Sequence, residues 1–517
     1  MRALILYVPG STGGNDPGDD GPRDAANMCA SMGIKPVFFP GIKTGTTGWD
    51  AADLDKVIAA CGIDLVINPT NTTAGTDGRY AALNISAGQL ANNIPVFLLS
   101  VNHSSSTYIS GVEVTQIGAA GDYVKATIAS TGGTIYTAGK RWTLKTATGS
   151  EVITPLVYDE ATPANVSAFK YSPDGTTWVY ADGINLSGVN LLHLLVQEAI
   201  NDGVLAKPPK KSPVFLNIDH LNSPGDTYTD GTDPDDTMGS IRQPEIIATM
   251  GEMLRQGNGV CYASIEQGFA PLHTAALTAN FAEYSDVFKY IACHDHNVGA
   301  ASDLVDGTYL NGGAGAAGVA LSSQETKAAI AASYASTAAI ITGLGLTVNA
   351  DLAHFAGDAV GPNFFELAQS ATMLTADPTD TTAQAGYGFK MARIATTYNQ
   401  GTAYPVTSKN DHWLRAKTKF RGIVCLRGVD TGPENGAAVA LNLDFRAWQY
   451  NVFATNSSRM MYQHIPEFEV AANNPTGLIS DGTAFARGYL TWQTGIDYQA
   501  ACPDVYNWGA DINDYIA

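Results

Sequence analysis

Short apolar runs closed by turn residues recur through this chain, and they restrict its fold more than any other feature. Such a run is short for a helix and lacks the polar alternation of a half-exposed strand. It reads as a parallel strand covered on both faces. Seven follow one another in the second part of the chain: Val214–Ile218, Val260–Ile265, Val287–Cys293, Leu344–Asn349, Gly388–Ile394, Gly422–Arg427 and Arg459–Gln463. Helix-like segments such as Pro244–Arg255 and Ser323–Thr342 separate most of them, with Pro244 suited to a helix's first turn. Strands and helices in this alternation predict a barrel-like parallel sheet.

The first part alternates in the same way. Ala3–Val8, Lys35–Phe39, Asp64–Asn68 and Pro95–Val101 read as strands, and Asp24–Met32, Ala52–Cys61 and Val189–Ile200 as helices. Between about 110 and 182 the strands become short and turn-bounded, which predicts antiparallel β structure inserted into a doubly wound α/β domain. The prolines and lysines of residues 206–213 read as an extended linker. The expected organisation is therefore an α/β domain over 1–205, a linker over 206–213, and a (β/α) domain with a C-terminal extension over 214–517. A length of 517 residues suits this multidomain reading.

Charge and cysteine content narrow the function. The formal net charge is −20, which opposes nucleic acid or an anionic membrane as the main partner, because both need a basic face. No apolar run reaches the roughly 18 residues of a membrane helix, and the first residues read as a strand rather than a signal peptide. Six cysteines without a CxxC pair predict free buried thiols.

Ionisable residues gather at the predicted strand ends. Four of the nine histidines fall there: His220 after the first strand, His294 and His296 after the third, and His464 after the last. Imidazole is the commonest metal ligand and the usual proton carrier near neutral pH. Asp219 beside His220 offers a ligand and a base together. His294 and His296, two apart on an extended chain, share a face and suit one divalent ion such as zinc. Asp295 between them could orient an imidazole. His464 suits a general acid. Glu266, His354, Arg393 and Arg427 are further candidates, each within a few residues of a strand end. The aspartate-rich loops 13–24 and 225–236 match no calcium-loop pattern, and Gly10–Gly14 lacks the lysine of a phosphate-binding loop.

These residues resemble the motifs of the NodB-type polysaccharide deacetylases. Ile218-Asp219-His220-Leu221 stands where that family has T-F-D-D-G. His294-Asp295-His296 stands at its two-histidine motif with a spacing of two rather than four, and Met461-Tyr462-Gln463-His464 resembles its late histidine motif. The resemblance covers about 210–470 and implies a distorted seven-stranded barrel. It also implies a metal site, a base aspartate and an acid histidine. Residues 1–205 resemble the class I glutamine amidotransferase-like, flavodoxin-like fold. Ser100-Val101-Asn102-His103-Ser104 replaces the nucleophile cysteine after the fourth strand, which implies a non-catalytic domain. Together with a charged fraction of only 15%, the resemblance suits a phage virion tail component acting at a host cell surface among other tail proteins.

The leading expectation is a metal-dependent hydrolase that removes acyl groups from a surface polysaccharide or peptidoglycan. Its ion, zinc-like, would be held by His294, His296 and one of Asp219 and His220. The other of that pair would be the base, and His464 the acid. A second expectation is a structural or glycan-binding tail protein on a decayed enzyme fold. A third is a glycoside hydrolase using Asp219 and Glu266 as paired carboxylates.

Overall fold

The computed structural model describes residues 1–7, 20–40, 51–69, 94–99, 114–117, 123–138, 141–144, 146–182, 191–218, 238–267, 274–297, 338–347, 352–353, 391–394, 418–420, 423–430, 459–463, 487–511 and 513–516. They fall into two compact units. Among the described residues, the first comprises 1–212 with a return segment, 494–507, and the second 213–493 and 508–516.

The first unit is built on one eleven-stranded sheet. Its parallel part contains β1 (Arg2–Tyr7), β2 (Lys35–Pro40), β3 (Leu65–Asn68) and β4 (Val96–Leu98). β5 (Val114–Ile117), β6 (Tyr123–Ile128), β7 (Thr134–Ala138), β8 (Arg141–Leu144), β9 (Val152–Asp159) and β10 (Val166–Ser172) follow, and then β11 (Val179–Asp182). The main path runs β2-β1-β3-β4-β11-β10-β9-β6-β7. β11 pairs parallel to β4 and antiparallel to β10, so it joins the parallel core to the inserted antiparallel strands.

Strand alternation divides the core between two faces. Leu4, Leu6, Val66, Val96, Leu98, Val179 and Ala181 cluster with Ile58 of α2 (Ala51–Cys61). Trp142, Val166, Phe169 and Tyr171 of the inserted strands extend the same cluster. Tyr180 belongs to the opposite face. Its hydroxyl donates to Asp202 Oδ2 at 2.8 Å, at the C-terminus of α3 (Leu192–Asn201). Helix α1 (Asp20–Ser31) packs against β1, β2 and α3.

Four of these helices stop by the same device. After α1, Gly33 takes φ +74°, its N–H bonds Ala30 O and Ile34 N–H bonds Cys29 O at 2.8 Å. That double closure satisfies carbonyls left open at a helix end, and a following apolar residue covers it. It recurs after α2, α3 and α4 (Met238–Gly257), and again at 341–346. There it corrects the sequence reading. Leu344–Asn349 looked like a strand, but Leu344 and Leu346 bracket Gly345 at a helix end, and the strand β15 is Leu352–Ala353.

Residues 206–211 run over the end of α1, where Lys210 N–H donates to Met32 O, and Ser212 opens the next strand. The return segment closes this unit. It holds most of α6 (Arg487–Ala501), and Asp504 bonds Gln197 and Lys207.

The second unit carries a nine-stranded sheet with the path β14-β13-β12-β19-β18-β16-β15. Its strands are β12 (Ser212–Ile218), β13 (Cys261–Gln267), β14 (Tyr290–Asn297), β15, β16 (Met391–Ile394), β17 (Thr418–Phe420), β18 (Ile423–Asp430) and β19 (Arg459–Gln463), and the ninth, β20 (Tyr506–Trp508), begins in the return segment. Every neighbour along the path is parallel. The order is that of the chain wound once, with β19 returning beside β12. Residues of β14 and β15, at the two ends of the path, approach within 8 Å between Cα atoms, with no ladder between them among the described residues.

Helices α4 and α5 (Thr274–Glu283) pack together, tied by Arg255 to Asp286 and Glu283. α4 begins at Met238, so Pro244 lies inside it rather than in its first turn. A short helix, α7 (Asn513–Ile516), ends the chain, and no helix among the described residues is long and apolar enough to cross a membrane.

Candidate functional site

β12 is buried along its whole length, yet its sequence alternates in character. Val214, Leu216 and Ile218 occupy one face, and Phe215 and Asn217 the other. Residues paired in register across a parallel sheet lie on the same side, so the ladders carry this division to the neighbouring strands. Asn217 is level with Tyr262 on β13 and Tyr462 on β19. Tyr262 is in turn level with Tyr290 on β14, and Tyr462 with Asp430 on β18. One row therefore reads Tyr290, Tyr262, Asn217, Tyr462, Asp430.

The row beneath, toward the strands' amino ends, is less polar, with Phe215, Met460 and Gly428 in register. Toward the carboxyl ends the same face next carries Ser264 and Ala292, then Glu266 level with His294. Arg393, level with Leu426, also has its register position on this face. The opposite face carries Ile218, Ala263, Ile291, Met461 and Val429. Polar residues are thus concentrated on one face, and on β13 and β14 they continue to Glu266 and His294 toward the carboxyl edge. That edge is where parallel sheets of this kind hold their ligands.

The sequence candidates divide as follows. His294, Asp295 and His296 lie within β14 rather than after it, because the strand runs on to Asn297. The ladder passes from Glu266–His294 to Gln267–Asn297, so two residues of β14 are inserted as a bulge at Asp295 and His296. Bulges re-aim a strand locally and recur beside active sites. Glu266 shares the row of His294. Arg427, level with Ile394, falls on the other face, away from Arg393 and Asp430.

Asp219, His220, His354 and His464 lie outside the described residues, immediately after β12, β15 and β19. Among the described residues no group of three His, Cys, Asp or Glu could hold a metal.

Asn217 was not anticipated. It is 2% exposed, and neither its Nδ2 nor its Oδ1 has a hydrogen-bond partner. Its signal was present in Val214-Phe215-Leu216-Asn217-Ile218, where an amide interrupts a wholly apolar run. Cys261, the fully buried thiol at the start of β13, has its pKa pushed well up by burial, which keeps it protonated and unreactive.

No family model matches the sequence, and no curated protein matches it. Among solved structures it is similar to Agd3, described as a novel carbohydrate deacetylase, with a TM-score of 0.50 and 11% identity. The similarity covers 100% of this chain and 86% of that one. It shows a shared fold: a mixed α/β architecture of the kind seen in a carbohydrate deacetylase, extending over both units.

Proposed function

We propose that the second unit is a metal-dependent carbohydrate deacylase acting on an acylated polysaccharide or peptidoglycan. The observation that carries this reading is the division of the sheet. Glu266, His294 and Asp430 have register positions on the face of Asn217 toward the carboxyl ends of parallel strands, with Arg393 on the same face but level with Leu426, nearer the amino side, while the opposite face is mainly apolar. The fold shared with a carbohydrate deacetylase supports the reaction class. The singly wound strand order, with its ends close together, supports reading the sheet as a barrel open between β14 and β15. The polar face would then line its interior. In the first unit, the order β2-β1-β3-β4-β11 supports a doubly wound, flavodoxin-like domain, read as a non-catalytic platform.

The donor set fits a zinc-like ion, which favours imidazole nitrogen and carboxylate oxygen. His294 and His296 of β14 would hold it with Asp219, which follows β12 in the sequence. When bound, such an ion supplies polarisation of the acyl carbonyl and acidification of a water. His220, which follows β12 in the sequence, would take that water's proton as its oxygen attacks the acyl carbon. His464, after β19, would protonate the leaving nitrogen or oxygen as its bond to that carbon breaks. Glu266, level with His294, would orient an imidazole.

The test is acetate release from N- and O-acetylated amino-sugar polymers, measured beside elemental analysis of the purified protein. Chelator-sensitive release that disappears in His294→Ala is expected. Undiminished release from fully metal-stripped protein would remove the mechanism.

A further inference from the structure

The imidazole of His193 on α3 is fully buried, and neither ring nitrogen has a hydrogen-bond partner among the described residues. Two of the rings that enclose it come from the far end of the chain. Tyr506 stands 5.3 Å and Tyr498 6.4 Å away between centroids, both within the return segment 494–507. Cys502 lies between them in sequence and is also fully buried. Among the described residues nothing around α3 offers the ring a counter-charge, and burial alone acts on its titration. The two phenols and the thiol are neutral in acid. On α3 itself, Glu198 is taken by Lys170 at 3.2 Å. β11 and α1 pack on the helix as well. β11 brings Asp182, whose Oδ2 accepts the Leu191 N–H at 3.1 Å, and the described side chains of α1 carry no charge.

The segment contributes no strand to the eleven-stranded sheet, so it can leave without breaking a ladder of that sheet. Its polar ties include Asp497 to the Thr134 N–H, and Asp504 to Gln197 and Lys207. Lys207 holds the Asp504 carboxyl below the usual range, so this tie persists at a pH where a solvated imidazole is already charged. From this arrangement we propose that His193 makes 494–507 an acid-sensitive latch, which leaves α3 at low pH before the sheet of the first unit unfolds. While the segment is seated the ring stays neutral, because burial lowers its pKa from 6.5 to about 3. Once the segment leaves, water reaches the ring, which then takes a proton at its ordinary value. Each pH unit below 6.5 therefore favours the open latch about tenfold, down to about 3. The latch operates whether or not the second unit is a deacylase.

The experiment follows thiol exposure in the full chain between pH 7 and 4.5. The probe is a pyridyl disulfide, which still reacts in acid, and mass spectrometry identifies the labelled cysteines. Cys502 reports the latch. Cys29, buried on α1 of the same unit, reports opening of the unit itself, and the partly exposed Cys61 corrects for the reagent's own pH dependence. Labelling of Cys502 relative to Cys61 is expected to rise on the order of fifty- to a hundredfold across this range, while Cys29 stays protected. His193→Leu is expected to abolish the rise. Simultaneous labelling of Cys502 and Cys29 overturns the latch, as does a Cys502 rate that is flat with pH. An undiminished rise in His193→Leu does the same. If His193→Leu does not fold, the order of Cys502 and Cys29 and the pH course in the wild type decide.

Discussion

Lowering the pH should destabilise the first unit through one side chain, His193. This residue lies in α3 with its ring against Tyr506 at 5.3 Å and Tyr498 at 6.4 Å between centroids. It is fully buried, and neither ring nitrogen has a hydrogen-bond partner. Burial without a partner disfavours the imidazolium and lowers the pKa from 6.5 to about 3. The unfolded chain therefore binds a proton that the folded chain refuses. The stability contributed by the neutral ring is complete above the unfolded value, falls as the pH drops below 6.5, and levels off near 3. The cost is about 2 kcal/mol at pH 5 and about 3 kcal/mol at pH 4, taking about 1.4 kcal/mol per pH unit. Urea midpoints of the full chain, followed between pH 7 and 4, should show this loss. His193→Leu should reduce the pH dependence by that amount and raise stability at pH 7, because two unpaired nitrogens leave the core. An imidazole titrating near 6.5 in the folded protein would refute the reasoning, as would a His193→Leu variant with the wild-type pH dependence.

Other perturbations read other parts of the fold. Lys170 bonds Asp202 at 2.7 Å and Glu198 at 3.2 Å in a largely buried group, so Lys170→Met should cost about 2 kcal/mol by leaving two carboxylates uncompensated, measurable by urea unfolding. Gly509 has φ +69°, and a Cβ there would lie 2.9 Å from Gly259 Cα and 3.0 Å from Val260 N, both backbone atoms. Gly509→Ala should therefore destabilise the second unit by about 2 kcal/mol or more, checked by thermal unfolding, with a neutral effect excluding this close approach. At the proposed site, His294→Ala should abolish acyl release while far-ultraviolet circular dichroism stays unchanged, and Arg427→Ala, on the opposite face, should leave kcat within about threefold of wild type.

The strands of both sheets were legible because double burial writes them as unbroken apolar runs; Ala3–Leu6 and Leu65–Ile67 are fully buried. Where the sequence misled, a local cause is visible. Leu344–Leu346 is apolar because it caps a helix rather than pairs in a sheet. β9 was not anticipated because Pro155 interrupts it, and the structure accommodates that proline at an irregularity in its ladder with β10. The third strand was placed to end before His294, but β14 carries all three candidate residues through a bulge, a device with no local sequence signature. Shared faces are the harder matter. That Arg427 parts from Arg393, and that Asn217 joins Tyr262 and Tyr462, depends on register between strands far apart in the chain.

The return of residues 494–507 to the first unit bears on how the protein is made. Tyr498 and Tyr506, which wall in His193, are translated roughly 300 residues after α3. At ribosomal speed that delay is on the order of half a minute. Through that interval the nascent amino-terminal half carries an uncovered seam on α3 beside His193, which Tyr498 and Tyr506 later flank. Cutting the chain at Ser212 would leave the seam open for good, so an isolated amino-terminal fragment should aggregate unless 494–507 is supplied in trans.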